Sequence, residues 1–185
     1  MNYVQPIRKT EQLEAMKNEL LKSSYRDYLL FLCGVYLGRR ISDLLALKVG
    51  DLRDKTVLKI VEQKTSKIIP LPINETLQNA VKSYSTNMSD NEYLFKSREG
   101  ENKPITRIQA YRILSEAGKK CGISEIGTHT LRKTFGYHYY QKTHDIVMLQ
   151  KIFGHSSPSI TMRYIGIDDD LVIEAMSKFS YDVVL

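Results

Sequence analysis

Phe153-Gly154-His155-Ser156-Ser157-Pro158-Ser159-Ile160-Thr161-Met162-Arg163-Tyr164 is the stretch on which the fold turns. Gly154 stands where a helix opened by Asp145 has to stop, because glycine reaches the left-handed conformation without a Cβ clash. Ser157-Pro158 reads as a helix cap followed by proline at the first helical position. His155 is therefore expected in the turn between two short helices. Tyr164, nine residues further on, falls in the second of them.

Reading upstream, the pattern stays helical back to the middle of the chain. A helix is expected to start at Thr128 or Thr130. Thr106 with Gln109 reads as a capping box ahead of Ile108, Tyr111, Ile113 and Leu114. Asn74 caps a segment carrying Leu77, Ala80, Val81 and Tyr84. Before that the periodicity changes. Val57-Leu58-Lys59-Ile60-Val61 and Ile68-Ile69-Pro70-Leu71 are β-rich runs around the polar stretch Glu62–Lys67, which predicts an antiparallel hairpin. A third strand is expected near Asp51–Arg53, and Pro70 marks an edge strand or a strand end. The N-terminal third is helical again. Thr10 caps a helix carrying Leu13, Met16, Leu20 and Leu21. A second helix follows Ser24 and stops at Gly38, and a short third begins near Ser42. A last helix is expected over Asp168–Phe179. The sum is an α+β domain, mainly α, with a small antiparallel sheet inserted after the third helix.

Composition narrows the class. The 185 residues are 42% hydrophobic and 26% charged, enough to bury a core without staples. Cys33 lies in an apolar run and Cys121 is isolated, so they form neither a disulfide framework nor a zinc site. No apolar run approaches the ~20 residues of a membrane span, and a cytoplasmic location is expected. The net charge of +6 is uneven: from Ile167 onward five acids face one base, giving −4, so residues 1–166 carry +10. A basic body suits a polyanionic partner, although solubility alone also explains it.

Four polar clusters interrupt the core pattern. In Gly38-Arg39-Arg40-Ile41-Ser42-Asp43, an arginine between apolar segments either pairs with Asp43 or Asp51 or presents a guanidinium fork to a phosphate. The hairpin tip carries Lys64, Thr65 and Lys67, which are either simply solvated or carried into a DNA groove. His129 and Arg132 are three apart at a helix start and share a face. They are a capping histidine with a surface arginine, or a pair that binds a phosphate oxygen and handles a proton. Tyr164 is one of twelve tyrosines, and by itself it is an ordinary amphipathic residue.

Taken together, the clusters resemble the tyrosine recombinases (phage integrases). That signature is an arginine in a Gly-x-Arg-Ile-Ser-Glu-Leu-like box, a hairpin lysine, a His-x-x-Arg box, a Leu-Gly-His-Ser-Ser-like box and a tyrosine about nine residues later. This chain offers Arg40, Lys64, His129, Arg132, His155 and Tyr164 in that order, over about Thr10 to Gly166. Asp43 stands where glutamate is usual, Phe153 where leucine is usual, and Arg39 where an apolar residue is common. Lys64-Thr65 fits the hairpin box better than Lys67.

The resemblance implies transesterification at a DNA phosphate. Tyr164 attacks phosphorus and forms a 3′-phosphotyrosyl link. Arg40, Arg132 and His155 hold the non-bridging oxygens, His129 takes the tyrosine proton, and Lys64 protonates the leaving 5′-oxygen. No metal or other cofactor is implied. Arg39, Thr65, Lys67, Arg107 and Lys133 are expected to contact DNA. The expected partner is a double-stranded recombination site, bound as a homotetramer, with a monomer when free and no membrane association. Residues 1–166 are read as the catalytic domain, without an N-terminal core-binding domain. Residues 167–185 are read as an acidic linker and a C-terminal helix that either packs on its own domain, the reading favoured for the isolated chain, or, by the family resemblance, is exchanged between protomers. A non-catalytic DNA-binding regulator and a type IB topoisomerase-like relaxing enzyme are the competing functions.

Overall fold

A computed structural model of the chain describes residues 4–61 and 68–179. The helix α1 (Thr10–Ser23) lies against α2 (Tyr25–Leu37), whose run Leu29-Leu30-Phe31-Leu32-Cys33 is buried on every side. Such an all-round apolar helix has to be the centre of the domain. It packs on α1, on α5 (Glu75–Tyr84) and on α7 (Thr130–Thr143). At the crossing with α7, a Cβ on Gly34 would stand 2.3 Å from Leu131. Only a glycine there lets the two helices come this close. Gly38 then ends α2 in the left-handed conformation at φ 60°, which turns the chain sharply into Arg39-Arg40.

The short helices α3 (Ile41–Leu45) and α4 (Val49–Leu52) lead into the antiparallel pair β1 (Val57–Val61) and β2 (Ile68–Pro72). The pair runs in register from Val57 opposite Pro72 to Val61 opposite Ile68. Asp51–Arg53 is not a third strand. Asp51 sits in α4 and accepts a 2.7 Å hydrogen bond from the Lys48 backbone N–H, a capping contact that stabilises a helical turn instead. Pro70 is tolerated in β2 because, among the described residues, the sheet has two strands and each has an open edge.

The caps read from the sequence are present at Asn74, Thr106, Asp145 and Ser157, whose side chains accept from the backbone N–H three residues on. Thr10 does not cap α1. It is already the first helical residue, and Lys9 holds the cap position without a side-chain bond. After α6 (Arg107–Lys120) and α7 come α8 (Ile146–Phe153) and α9 (Pro158–Ile165). These close a second core of Leu149, Phe153, Ile165 and Ile167 over the outer face of α7. Tyr164 packs against this second core. The acidic run expected as a linker is the first part of α10 (Ile167–Ser177), which starts directly after Gly166.

Candidate active site

Arg132 is the fixed point of the site. It is 2% exposed. Its Nη1 donates to the Gly38 carbonyl at 2.9 Å and its Nη2 to the Phe153 carbonyl at 2.8 Å. Both acceptors are orphan carbonyls at helix ends, made available by the glycine stops of α2 and α8. The guanidinium also lies over the Phe153 ring, 4.1 Å from its centroid. Two of the five N–H donors of an arginine thus hold it in place, and three remain. Burial lowers the pKa of Arg132 to about 10, and the nearby cations Arg40 and Arg39 push the same way, while Tyr164 and Asp43 oppose them. At that value it is still charged at neutral pH.

The Tyr164 hydroxyl stands 3.0 Å from His129 Nδ1. Its ring meets the rings of Phe153 and His155 edge-on, at 5.6 and 5.2 Å between centroids. Burial raises the tyrosine pKa above its usual value, with Arg132 and then Arg40 pulling the other way. The hydroxyl is therefore protonated at neutral pH. Desolvation lowers the pKa of His129, and the cations Arg132, Arg107, Lys133 and Arg40 lower it further. The imidazole is thus neutral at pH 7. With Nε2 carrying its proton, Nδ1 has a lone pair aimed at the tyrosine hydroxyl. A protonated phenol on a neutral base is a nucleophile with a place for its proton to go.

His155 completes the wall. Its Nδ1 is 3.0 Å from the Thr161 hydroxyl, and its carbonyl accepts from the Gln150 side chain at 3.0 Å. Arg40 caps α3 and is half-exposed beside the same opening. The structure thus brings together Arg40, His129, Arg132, His155 and Tyr164. Lys64, Thr65 and Lys67 lie outside the described residues.

The expected DNA contacts divide. Arg107 is exposed at the start of α6, where it lines a cleft of about 420 Å³ with Ile108, Tyr111 and Thr128. Lys133 does not project freely. Its ammonium donates to the Val4 carbonyl at 2.7 Å and lies 5.4 Å from the Tyr164 ring centroid. Arg39 cannot be a surface contact, because it is 1% exposed. The turn at Gly38 sends it inward and leaves its neighbour Arg40 at the opening.

Residues that sequence reading missed are the supports. Thr161 is fully buried and holds the His155 ring. Gln150 fixes the His155 backbone, and Phe153 is the platform under Arg132. A polar residue on the inner side of a short apolar helix was the available signal for Thr161. Arg8 was missed as well: it donates to Asp170 at 3.3 Å and to the Gly166 carbonyl at 3.2 Å, tying the N-terminal segment to the root of α10. Among the described residues there is no group of three or more histidine, cysteine or acidic side chains placed to hold a metal ion.

Residues 8–170 match the model of the phage integrase family. The chain is 54% identical over 179 residues to a probable integrase/recombinase, YoeC, of Bacillus subtilis strain 168, covering 97% of this chain and 98% of that one. It is 30% identical over 171 residues to the tyrosine recombinase XerA of Pyrococcus furiosus, of which it spans 59%. In three dimensions it is similar to a crystal structure of XerA recombinase, with a TM-score of 0.75 at 24% identity over 97% of this chain and 66% of that one. A lambda integrase dimer bound to a COC′ core site is similar at a TM-score of 0.68 and 18% identity, over 99% of this chain and 51% of that one. At these identities the two structures speak for the fold alone.

Proposed function

Since this chain belongs to the phage integrase family and is a tyrosine site-specific recombinase, we propose that Tyr164 is its nucleophile and that Arg40, Arg132 and His155 form the cradle for the scissile phosphate. The observation that carries this reading is the 3.0 Å contact between the Tyr164 hydroxyl and His129 Nδ1, beside a guanidinium pinned by two carbonyls.

The reaction balances within the chain. The Tyr164 oxygen attacks phosphorus as its proton passes to His129. The bond from phosphorus to the 5′-oxygen breaks, and Lys64 on the hairpin gives that oxygen a proton. The 5′-hydroxyl of a partner strand then reverses the same steps and expels the tyrosine. Charge builds on the non-bridging oxygens, and the N–H donors of Arg132 not spent on the two carbonyls, with those of Arg40, meet it in a partly desolvated pocket. The bond energy is kept in the phosphotyrosyl link, so no nucleotide is consumed. A DNA-binding regulator has no use for a tyrosine hydroxyl held on an imidazole, which favours the catalytic reading.

The DNA partner is a double-stranded recombination site. The relatives of known structure include dimers and a tetramer on DNA, and a tetramer is the proposed working assembly here. The helix α10 is the proposed exchange element, because its Val172, Ile173 and Met176 are each more than 60% exposed, an apolar stripe open to solvent.

A suicide-substrate assay tests the core of this. Nicked duplexes carrying candidate sites are incubated with the protein in EDTA and run on a denaturing gel. A covalent protein–DNA adduct that disappears in Tyr164→Phe is expected. An adduct that persists in that variant excludes Tyr164 as the nucleophile.

A further inference from the structure

Arg39 is the one feature of the site that neither folding nor the chemistry above calls for. Its Nε, Nη1 and Nη2 are all buried and have no hydrogen-bond partner among the described residues. The nearest carboxylate oxygen is Asp43 Oδ2, 4.0 Å from Nε, beyond hydrogen-bonding distance. Around it in the chain, Leu37, Ile41 and Leu44 are core residues. A buried guanidinium without hydrogen bonds is among the costliest groups a core can hold, and an apolar residue of the same length would stabilise the domain more.

Its electrostatic neighbourhood is the catalytic pocket. Arg39, Arg40 and Asp43 all act on the charge of Arg132. Asp43 lies in the first turn of α3, where its backbone N–H bonds the Arg40 carbonyl at 2.9 Å. These four groups are three guanidiniums and one carboxylate, and 3 − 1 leaves +2. A phosphodiester brings −1, and attack by a tyrosine that has given up its proton raises the charge at phosphorus toward −2. Without Arg39, the carboxylate of Asp43 would cancel one of the two arginines that meet the phosphate.

We propose that Arg39 is a positioning residue for phosphoryl transfer: from beneath the pocket it occupies Asp43, so that Arg40 and Arg132 keep their full charge for the scissile phosphate. This rests on reading the pocket as the phosphate site. The stability lost by burying the guanidinium is offset when the phosphate arrives, which places the gain in the DNA-bound state and in the transition state.

The test compares wild type, Arg39→Met, Asp43→Asn and the double variant, by melting temperature and by the single-turnover rate of adduct formation on the nicked duplex. Arg39→Met is expected to melt at or above the wild-type temperature while cleaving at least about tenfold more slowly. The double variant restores the net +2 and is expected to recover most of the rate. Arg39→Met cleaving at the wild-type rate overturns the proposal. So does a lower melting temperature with a slow rate that Asp43→Asn does not rescue, since that marks a structural role. The rise in melting temperature with inorganic phosphate needs no chemistry, and it is expected to be smaller in Arg39→Met than in wild type; an equal rise overturns the proposal even if no adduct forms. Absence of an adduct with wild type, by contrast, counts against the catalytic reading.

Discussion

At the scale of single residues, the protonation states do most of the mechanistic work. His129 is held neutral because charging it means desolvating a cation among other cations. Its folded pKa lies below the usual 6.5, so the unfolded chain takes up the proton first as the pH falls. Stability from this group is therefore present above about pH 6.5 and declines in acid, and the base form needed for cleavage is lost in the same direction. The single-turnover rate is expected to be flat from about pH 7 to 8 and to drop below His129's lowered pKa. A rate that rises as the pH falls would contradict the assignment of His129 as base. Thr161 has a single hydroxyl proton to give. When it bonds the Ser157 carbonyl, at 3.3 Å, His155 Nδ1 must be the donor in the 3.0 Å contact. Thr161→Val removes the partner of His155 Nδ1, and a fall in the single-turnover cleavage rate of about tenfold or more is expected. Arg132→Met should be costly twice over. It ends catalysis, and it strands the Gly38 and Phe153 carbonyls, for an expected loss of about 2–4 kcal/mol in urea unfolding.

At the scale of elements, the second core explains why the tyrosine is already in place. The α9 helix packs on α7 and α8, and its buried Ile165 and Thr161 set the rotation that points Tyr164 at His129. From the sequence, the helix of Tyr164 is expected to be followed by an acidic linker. The chain instead passes at Gly166 straight into α10, and Arg8 fastens that junction from the other end of the chain. The apolar stripe of α10 is not part of either core. Truncation after Asp170 is therefore expected to leave the melting temperature within a few degrees of wild type while abolishing higher-order complexes on paired sites in a gel-shift assay. A truncated protein that fails to fold would show that α10 belongs to its own domain. Lys64 is the other part of the proposal. Lys64→Ala is expected to slow cleavage strongly on ordinary DNA. A substrate whose leaving atom is a 5′-bridging sulfur needs no proton, so it should restore that rate and leave Arg40→Ala inactive.

At the scale of the whole molecule, charge is separated along the chain. The basic body carries +10 and the segment from Ile167 onward −4. Counterion release makes duplex affinity steeply salt-dependent. With Arg40, Lys64, Lys67 and Arg107 on phosphates, a plot of log affinity against log salt should slope at about −4. Arg107→Ala should flatten it by about one unit, while Arg39→Met should leave it nearly unchanged, because a buried arginine releases no counterion of its own. A slope near zero would mean that the basic body does not meet the DNA backbone.

Much of this was legible in the amino-acid order. Helix stops at Gly38 and Gly154, caps at Asn74, Thr106, Asp145 and Ser157, the hairpin, and the ordered set Arg40, His129, Arg132, His155 and Tyr164 all depend on local chemistry, in which a residue's type and its near neighbours suffice. Asp51–Arg53 and Thr10 were misread where two local outcomes differ by little and packing chooses between them. Sequence could not tell which of two adjacent arginines faces solvent and which is buried beside Asp43, since both follow the same glycine turn. Nor could it set Thr161 on His155, Lys133 on Val4 or Arg8 on Asp170, partners separated by up to 162 positions. Those contacts exist only once α2, α7, α8 and α9 pack, because side-chain direction and desolvation are properties of the packed neighbourhood and not of any one segment.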